Sequence, residues 1–193
     1  MSETGDAAAR IAASVRAAEA DPSPATIGSA LRSVEPDELA EFFHLRLAVA
    51  DDVAPIGEGL PASPGAASGR IVTSADAALA SDGPVILVRP ETTPDDVLGM
   101  QAARGILTAR GGLVSHAAVV ARGWGIPAVV GAADLHIDGP TITIGSTVLR
   151  AGDDITIDGS TGRVFAGALA TAQASGFPIT SPTRRPVRVQ VPE

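Results

Sequence analysis

The chain has 193 residues and a formal net charge of −8, with 14 basic residues that are all arginine, 22 acidic residues and no cysteine. The missing cysteines exclude disulfides and thiol catalysis, and the missing lysine excludes P-loop and Schiff-base chemistry. The acidic balance argues against a nucleic-acid partner. No apolar run reaches the roughly 18 residues of a membrane span and no signal peptide opens the sequence, so no membrane partner and a cytoplasmic location are expected. Hydrophobic residues make up 45% and aromatics only 3%, so the core must be built from Ala, Val, Ile and Leu.

Residues 7–20 are rich in alanine, with Ile11 and Val15 about one turn apart, which predicts a weakly amphipathic helix ended by Asp21-Pro22-Ser23-Pro24. Residues 25–34 and 36–49 read as two further helices, the second opened by Pro36, Asp37 and Glu38 and burying Leu39, Phe42, Phe43, Leu45 and Leu47. His44 there reads as a packing or surface residue. Residues 1–50 are thus expected to be a helical extension, and the Pro/Gly-rich stretch 51–64 a hinge linker. The body, 65–168, alternates strands expected at 69–73, 85–89, 105–108 and 127–130 with helices at 75–81, 94–103 and 116–123. Further strands are expected at 141–144, 147–150, 154–158 and 163–166, with Asp158-Gly159-Ser160-Thr161-Gly162 as a hairpin connection. Its carboxylates lack EF-hand spacing, and no metal site is assigned. His136 is placed in a connecting loop without a role. Residues 169–193 read as an extended or disordered tail, with four prolines and three arginines in 175–193.

The chemistry concentrates at residues 105–122. A short apolar strand, Gly105-Ile106-Leu107-Thr108, runs through Ala109 and Arg110 into Gly111-Gly112. Ser115 then caps a helix of small residues that His116 opens. A helix start offers unpaired N–H groups and partial positive charge, where phosphate settles. A neutral imidazole nitrogen placed there can accept a phosphoryl group. Gly111 and Gly112 are expected to supply positive φ and close backbone approach. Arg110 is the expected source of local positive charge, whereas Arg122, on another helix face, reads as structural or interfacial. Read from the residues alone, His116 also fits a bland helix-start histidine, because strand–Gly-Gly–helix units are common in α/β proteins.

The run from Thr108 to Val129 resembles the phosphohistidine motif of phosphoenolpyruvate-utilising enzymes, closest to the swivelling central domain of pyruvate, phosphate dikinase. Phosphoenolpyruvate synthase and enzyme I of the sugar phosphotransferase system share it more loosely. Residues 59–69, 86–97, 145–153 and 157–162 resemble that domain's flanking segments in the same order. The resemblance implies an α/β, swivelling β/β/α phosphohistidine domain with an N-terminal helical extension. It implies His116 as the phosphorylated residue, supported by Arg110, Gly111, Gly112, Ser115 and Ala117. It also implies a relay between an ATP-grasp-type nucleotide-binding partner and a PEP/pyruvate-binding barrel. On this reading the chain is a phosphotransferase component that does not complete the reaction alone, holds no cofactor beyond covalent phosphate on His116, and relies on partner domains for Mg2+. The chain has no room for those partners. The alternatives are a non-catalytic homologue that binds and modulates a kinase-like partner, and a small-anion binding module. Two positions depart from the family pattern: Val114 stands where a regulatory threonine is usual, and Ala109 where an acidic residue often precedes the arginine.

Overall fold

The computed structural model describes residues 3–33, 45–47 and 53–173, in two units with 3–33 forming the first. In that unit α1 (Glu3–Ala20) packs on α2 (Pro24–Arg32). The break between them has local causes: Pro24 takes a first-turn position, and the Ser23 side chain caps α2 by accepting from the Thr26 amide. Hydrogen bonds from Thr26 and Ser23 hold the Asp21 carboxyl below its usual range.

The second unit contains strands β1 (Leu45–Leu47), β2 (Gly57–Glu58), β3 (Leu60–Ser63), β4 (Ala66–Val72), β5 (Val85–Arg89), β6 (Gly105–Thr108) and β7 (Ala128–Val130). They are followed by β8 (Leu135–Asp138), β9 (Thr141–Ile144), β10 (Thr147–Arg150), β11 (Asp154–Asp158), β12 (Arg163–Ala166) and β13 (Thr171–Gln173). Helices α3 (Ala75–Leu79), α4 (Val97–Ala102) and α5 (His116–Trp124) connect β4 to β7, with a 3-10 turn at Pro94–Asp96 leading into α4. An eight-stranded sheet runs β2-β12-β11-β4-β5-β6-β7-β3. Strands β4 to β7 are mutually parallel, as helix crossovers require, and the remaining pairs are antiparallel.

β2 and β3 lie at opposite ends of that order yet are separated by only Gly59, so one continuous segment closes the sheet on itself. Gly59 is needed at the crossing: its amide donates to the Gly162 carbonyl at 2.8 Å, and a Cβ there would lie 2.8 Å from both Val129 Cγ1 and the Val130 carbonyl oxygen.

Strand alternation divides the core between two faces. Ile86, Val88, Leu107 and Val129 face the antiparallel meander β8-β9-β10, whose Leu135, Ile142 and Ile144 complete that cluster. Val85, Leu87, Ile106, Ala128 and Val130 face the helices, meeting Ala78, Met100, Ala117, Ala118 and Ala121. The result is the expected β/β/α layering. Central strands covered on both faces read as continuous apolar runs, which is why β5 is Val-Ile-Leu-Val.

Several expectations are corrected. Residues 51–64, expected to be a linker, contain β2 and β3, two strands of the main sheet. Residues 45–47 form β1, paired with β13 inside the expected tail, so Leu45 and Leu47 are not helical and the stretch 169–173 is partly ordered. His136 stands in β8, not in a loop; Leu135 anchors that strand in the core. The helix expected at 94–103 is a 3-10 turn followed by α4. His44, Leu39, Phe42, Phe43 and residues 174–193 lie outside the described residues.

Candidate functional site

The parallel strands β5 and β6 deliver their following loops to the same end of the sheet, where two backbone bonds stitch them together. The Ala109 amide donates to the Arg89 carbonyl at 3.1 Å and the Arg110 amide to the Pro90 carbonyl at 2.9 Å. The Thr108 hydroxyl donates to the Arg110 carbonyl at 2.8 Å. Gly111 then takes φ 119°, which only glycine adopts without strain, and a Cβ there would press on Ser115 Oγ at 3.0 Å. Gly112 departs from expectation: its φ is not positive and the space where its Cβ would sit is open.

Ser115 caps α5, its hydroxyl accepting from the Ala118 amide at 3.4 Å while its own amide donates to the Gly112 carbonyl at 2.9 Å. His116 and Ala117 occupy the first two helical positions, and among the described residues their amides have no hydrogen-bond partner. At its other end α5 closes on Gly125, with φ 67°. Gly123, the last residue of the expected helix, lies inside it, since α5 runs on through Trp124.

Arg122 holds the loop in place. One guanidinium nitrogen donates to the Ala62 carbonyl of β3 at 2.8 Å and the other to the Leu113 carbonyl at 2.6 Å. Its helix face pointed to a structural or interfacial arginine, but not to its target. The side chain reaches back nine residues, which no local pattern signals.

His116 is half-buried, and its Nε2 is shut off from solvent without a hydrogen-bond partner. Exposed apolar side chains surround it in sequence: Val114 is 89% exposed, Val119 54% and Leu113 47%. Gly111, Ser115, His116 and Ala117 are therefore brought together. Arg110 is set apart, its exposed side chain lining a hollow with Pro90, Ala109, Ala133, Leu135, His136 and Ile137. Among the described residues no group of three or more His, Cys, Asp or Glu side chains is placed to hold a metal ion, and no helix is long and apolar enough to cross a membrane.

Strand, glycine loop and histidine-led helix within this layering define a class. Residues 81–162 match the family described as PEP-utilising enzyme, mobile domain. The chain is 48% identical over 148 residues to pyruvate, phosphate dikinase of Rickettsia bellii, covering 75% of this chain and 17% of the relative. It is 47% identical over 151 residues to the chloroplastic pyruvate, phosphate dikinase 1 of Arabidopsis thaliana, covering 75% and 16%. A solution NMR structure of Enzyme I aligns with 46% of this chain and 33% of that one at 30% identity, with a TM-score of 0.36. The chain thus spans about one sixth of the length of the curated relatives it matches.

Proposed function

We propose that this chain is a phosphocarrier, with His116 taking a phosphoryl group from one partner and passing it to another. The observation that carries this reading is His116 at the first position of α5, where two amides have no partner among the described residues, in a chain whose residues 81–162 match the mobile-domain family. A lone pair on an imidazole nitrogen forms the N–P bond as the bond from phosphorus to the donor oxygen breaks, and the electron pair leaves with that oxygen. Delivery reverses the exchange on the acceptor. The amides of His116 and Ala117 and the helix dipole stabilise the dianion. Nε2 is shut off from solvent, so on this reading the ring has to turn outward about its side-chain bonds to take the group. Gly111 and Ser115 shape the loop.

The partners that fit the relatives' activity are an ATP-grasp-type nucleotide-binding domain or subunit and a PEP/pyruvate-binding barrel, with Mg2+ supplied by those partners. Incubating the chain with phosphoenolpyruvate and a barrel partner should give an acid-labile, alkali-stable phosphoryl group on His116. His116→Ala should lose it while keeping the wild-type circular dichroism spectrum. A label that survives His116→Ala removes the proposal.

A further inference from the structure

The hollow that Arg110 lines is set apart from His116 and has no part in the phosphoryl exchange above. Its volume is about 560 Å3, within the roughly 300–1,000 Å3 of small-molecule sites. The loops after β5 and β6 contribute Pro90 and Arg110, and the turn before β8 and that strand contribute Ala133, Leu135, His136 and Ile137. Leu135 and Ile137 belong to the apolar cluster under the meander, so one part of the lining is apolar.

The charge of the hollow is opposite to that of the chain. The sequence carries −8 with 22 acidic residues, yet no carboxylate lines the hollow, although Glu91, Asp134 and Asp138 adjoin lining residues in sequence. Arg89, Arg122 and Arg163 find carbonyls or carboxylates within the protein. Among the described residues the side chains of Arg110 and His136 find none, and the Ala133 amide has no partner. The backbone of Arg110 is nevertheless pinned, its amide donating to the Pro90 carbonyl at 2.9 Å and its carbonyl accepting from the Thr108 hydroxyl at 2.8 Å. That first bond also occupies a carbonyl oxygen that would otherwise repel an anion. A guanidinium is a planar fork of donors that matches an oxyanion, and an imidazole offers an N–H in either protonation state.

We propose that this hollow binds a small organic molecule through its phosphate or carboxylate group. The Arg110 guanidinium and the His136 ring N–H take the oxygens, and Leu135 and Ile137 take the apolar remainder. The site stands whether or not His116 carries a phosphoryl group.

The test uses the full chain, nitrogen-15 labelled, titrated at fixed ionic strength with inorganic phosphate and, separately, with acetate. At least one probe should move the Arg110 Nε–H, the His136 ring and the Ala133 amide on one common saturation curve, in the millimolar range that a few charge-assisted hydrogen bonds support. The tighter probe identifies the head group. Arg110→Gln and His136→Gln replace exposed side chains, and each should weaken binding about tenfold. Arg110→Lys, which keeps the charge without the fork, should fall between wild type and Arg110→Gln. In His116→Ala the curve should match wild type. No saturable movement at these three positions with either probe, or an affinity unchanged in Arg110→Gln, overturns the inference. Phosphate that moves only the His116 and Ala117 amides overturns it too, while leaving the phosphocarrier reading in place. Loss of the curve in His116→Ala would mean one site instead of two and likewise overturns it.

Discussion

The loops that follow β5 and β6 occupy equivalent places in neighbouring parallel strands, and each leads into a helix on the same face, yet they are finished in opposite ways. The first, residues 90–96, closes its helix start with its own carboxylate: Asp96 takes the Thr93 amide and hydroxyl and faces Arg89, and an Arg89 guanidinium nitrogen donates to the Thr73 carbonyl at 3.0 Å. The second, residues 109–115, is braced from outside by Arg122, and the amides at the start of its helix have no partner among the described residues. One helix start is closed by its own carboxylate; the other keeps two amides without a partner among the described residues. The same topology therefore supplies a closed corner and an open one, and the side chains decide which is which.

The comparison can be broken first at Asp96. Asp96→Ala leaves Arg89 and the Thr93 amide without their partner and should cost about 3 kcal/mol in urea denaturation. A loss near zero would mean that the first loop is not held as described. Arg122→Met keeps the stem and removes both carbonyl contacts. It should cost about 1–2 kcal/mol and also slow His116 phosphorylation, because the open loop loses its brace. Unchanged phosphorylation in this variant would reduce Arg122 to a stability residue. Ser115→Ala removes the cap of α5 and should lower stability by about 1 kcal/mol, readable as a drop in thermal midpoint. Val114→Thr is the smallest change. At an 89% exposed position it should stay within about 0.5 kcal/mol of wild type, leaving only a new hydroxyl beside Ser115.

Much of the sheet was legible because its strands are apolar runs cut by turn residues. Val85–Arg89, Gly105–Thr108, Thr141–Ile144, Thr147–Arg150, Asp154–Asp158 and Arg163–Ala166 lie where the pattern puts them. The closing segment was not legible. Gly57, Gly59, Pro61 and Pro64 look like a linker, and only the tertiary structure shows why they are tolerated. Pro61 sits on a strand that pairs on one side, with β7, and Gly59 passes through a gap too narrow for a Cβ. Leu45–Leu47 were read as part of a helix opened by Pro36, Asp37 and Glu38, whereas pairing with the distant Thr171–Gln173 makes them a strand. In the site, Ser115, His116 and Gly111 announced themselves through cap, dipole and turn chemistry. Arg122's grip on Leu113 and Ala62, and the meeting of Arg110 with His136 in one hollow, depend on contacts across the fold that no local spacing encodes.

On the proposed function, the open helix start offers His116 for phosphoryl transfer. Phosphorus-31 NMR of the intact chain, after treatment with phosphoenolpyruvate and a barrel partner, tests it most directly. A single phosphoramidate-type resonance that His116→Ala abolishes is the predicted result. A chain that stays unlabelled beside an active partner, or a resonance that maps to His44 or His136, would contradict it.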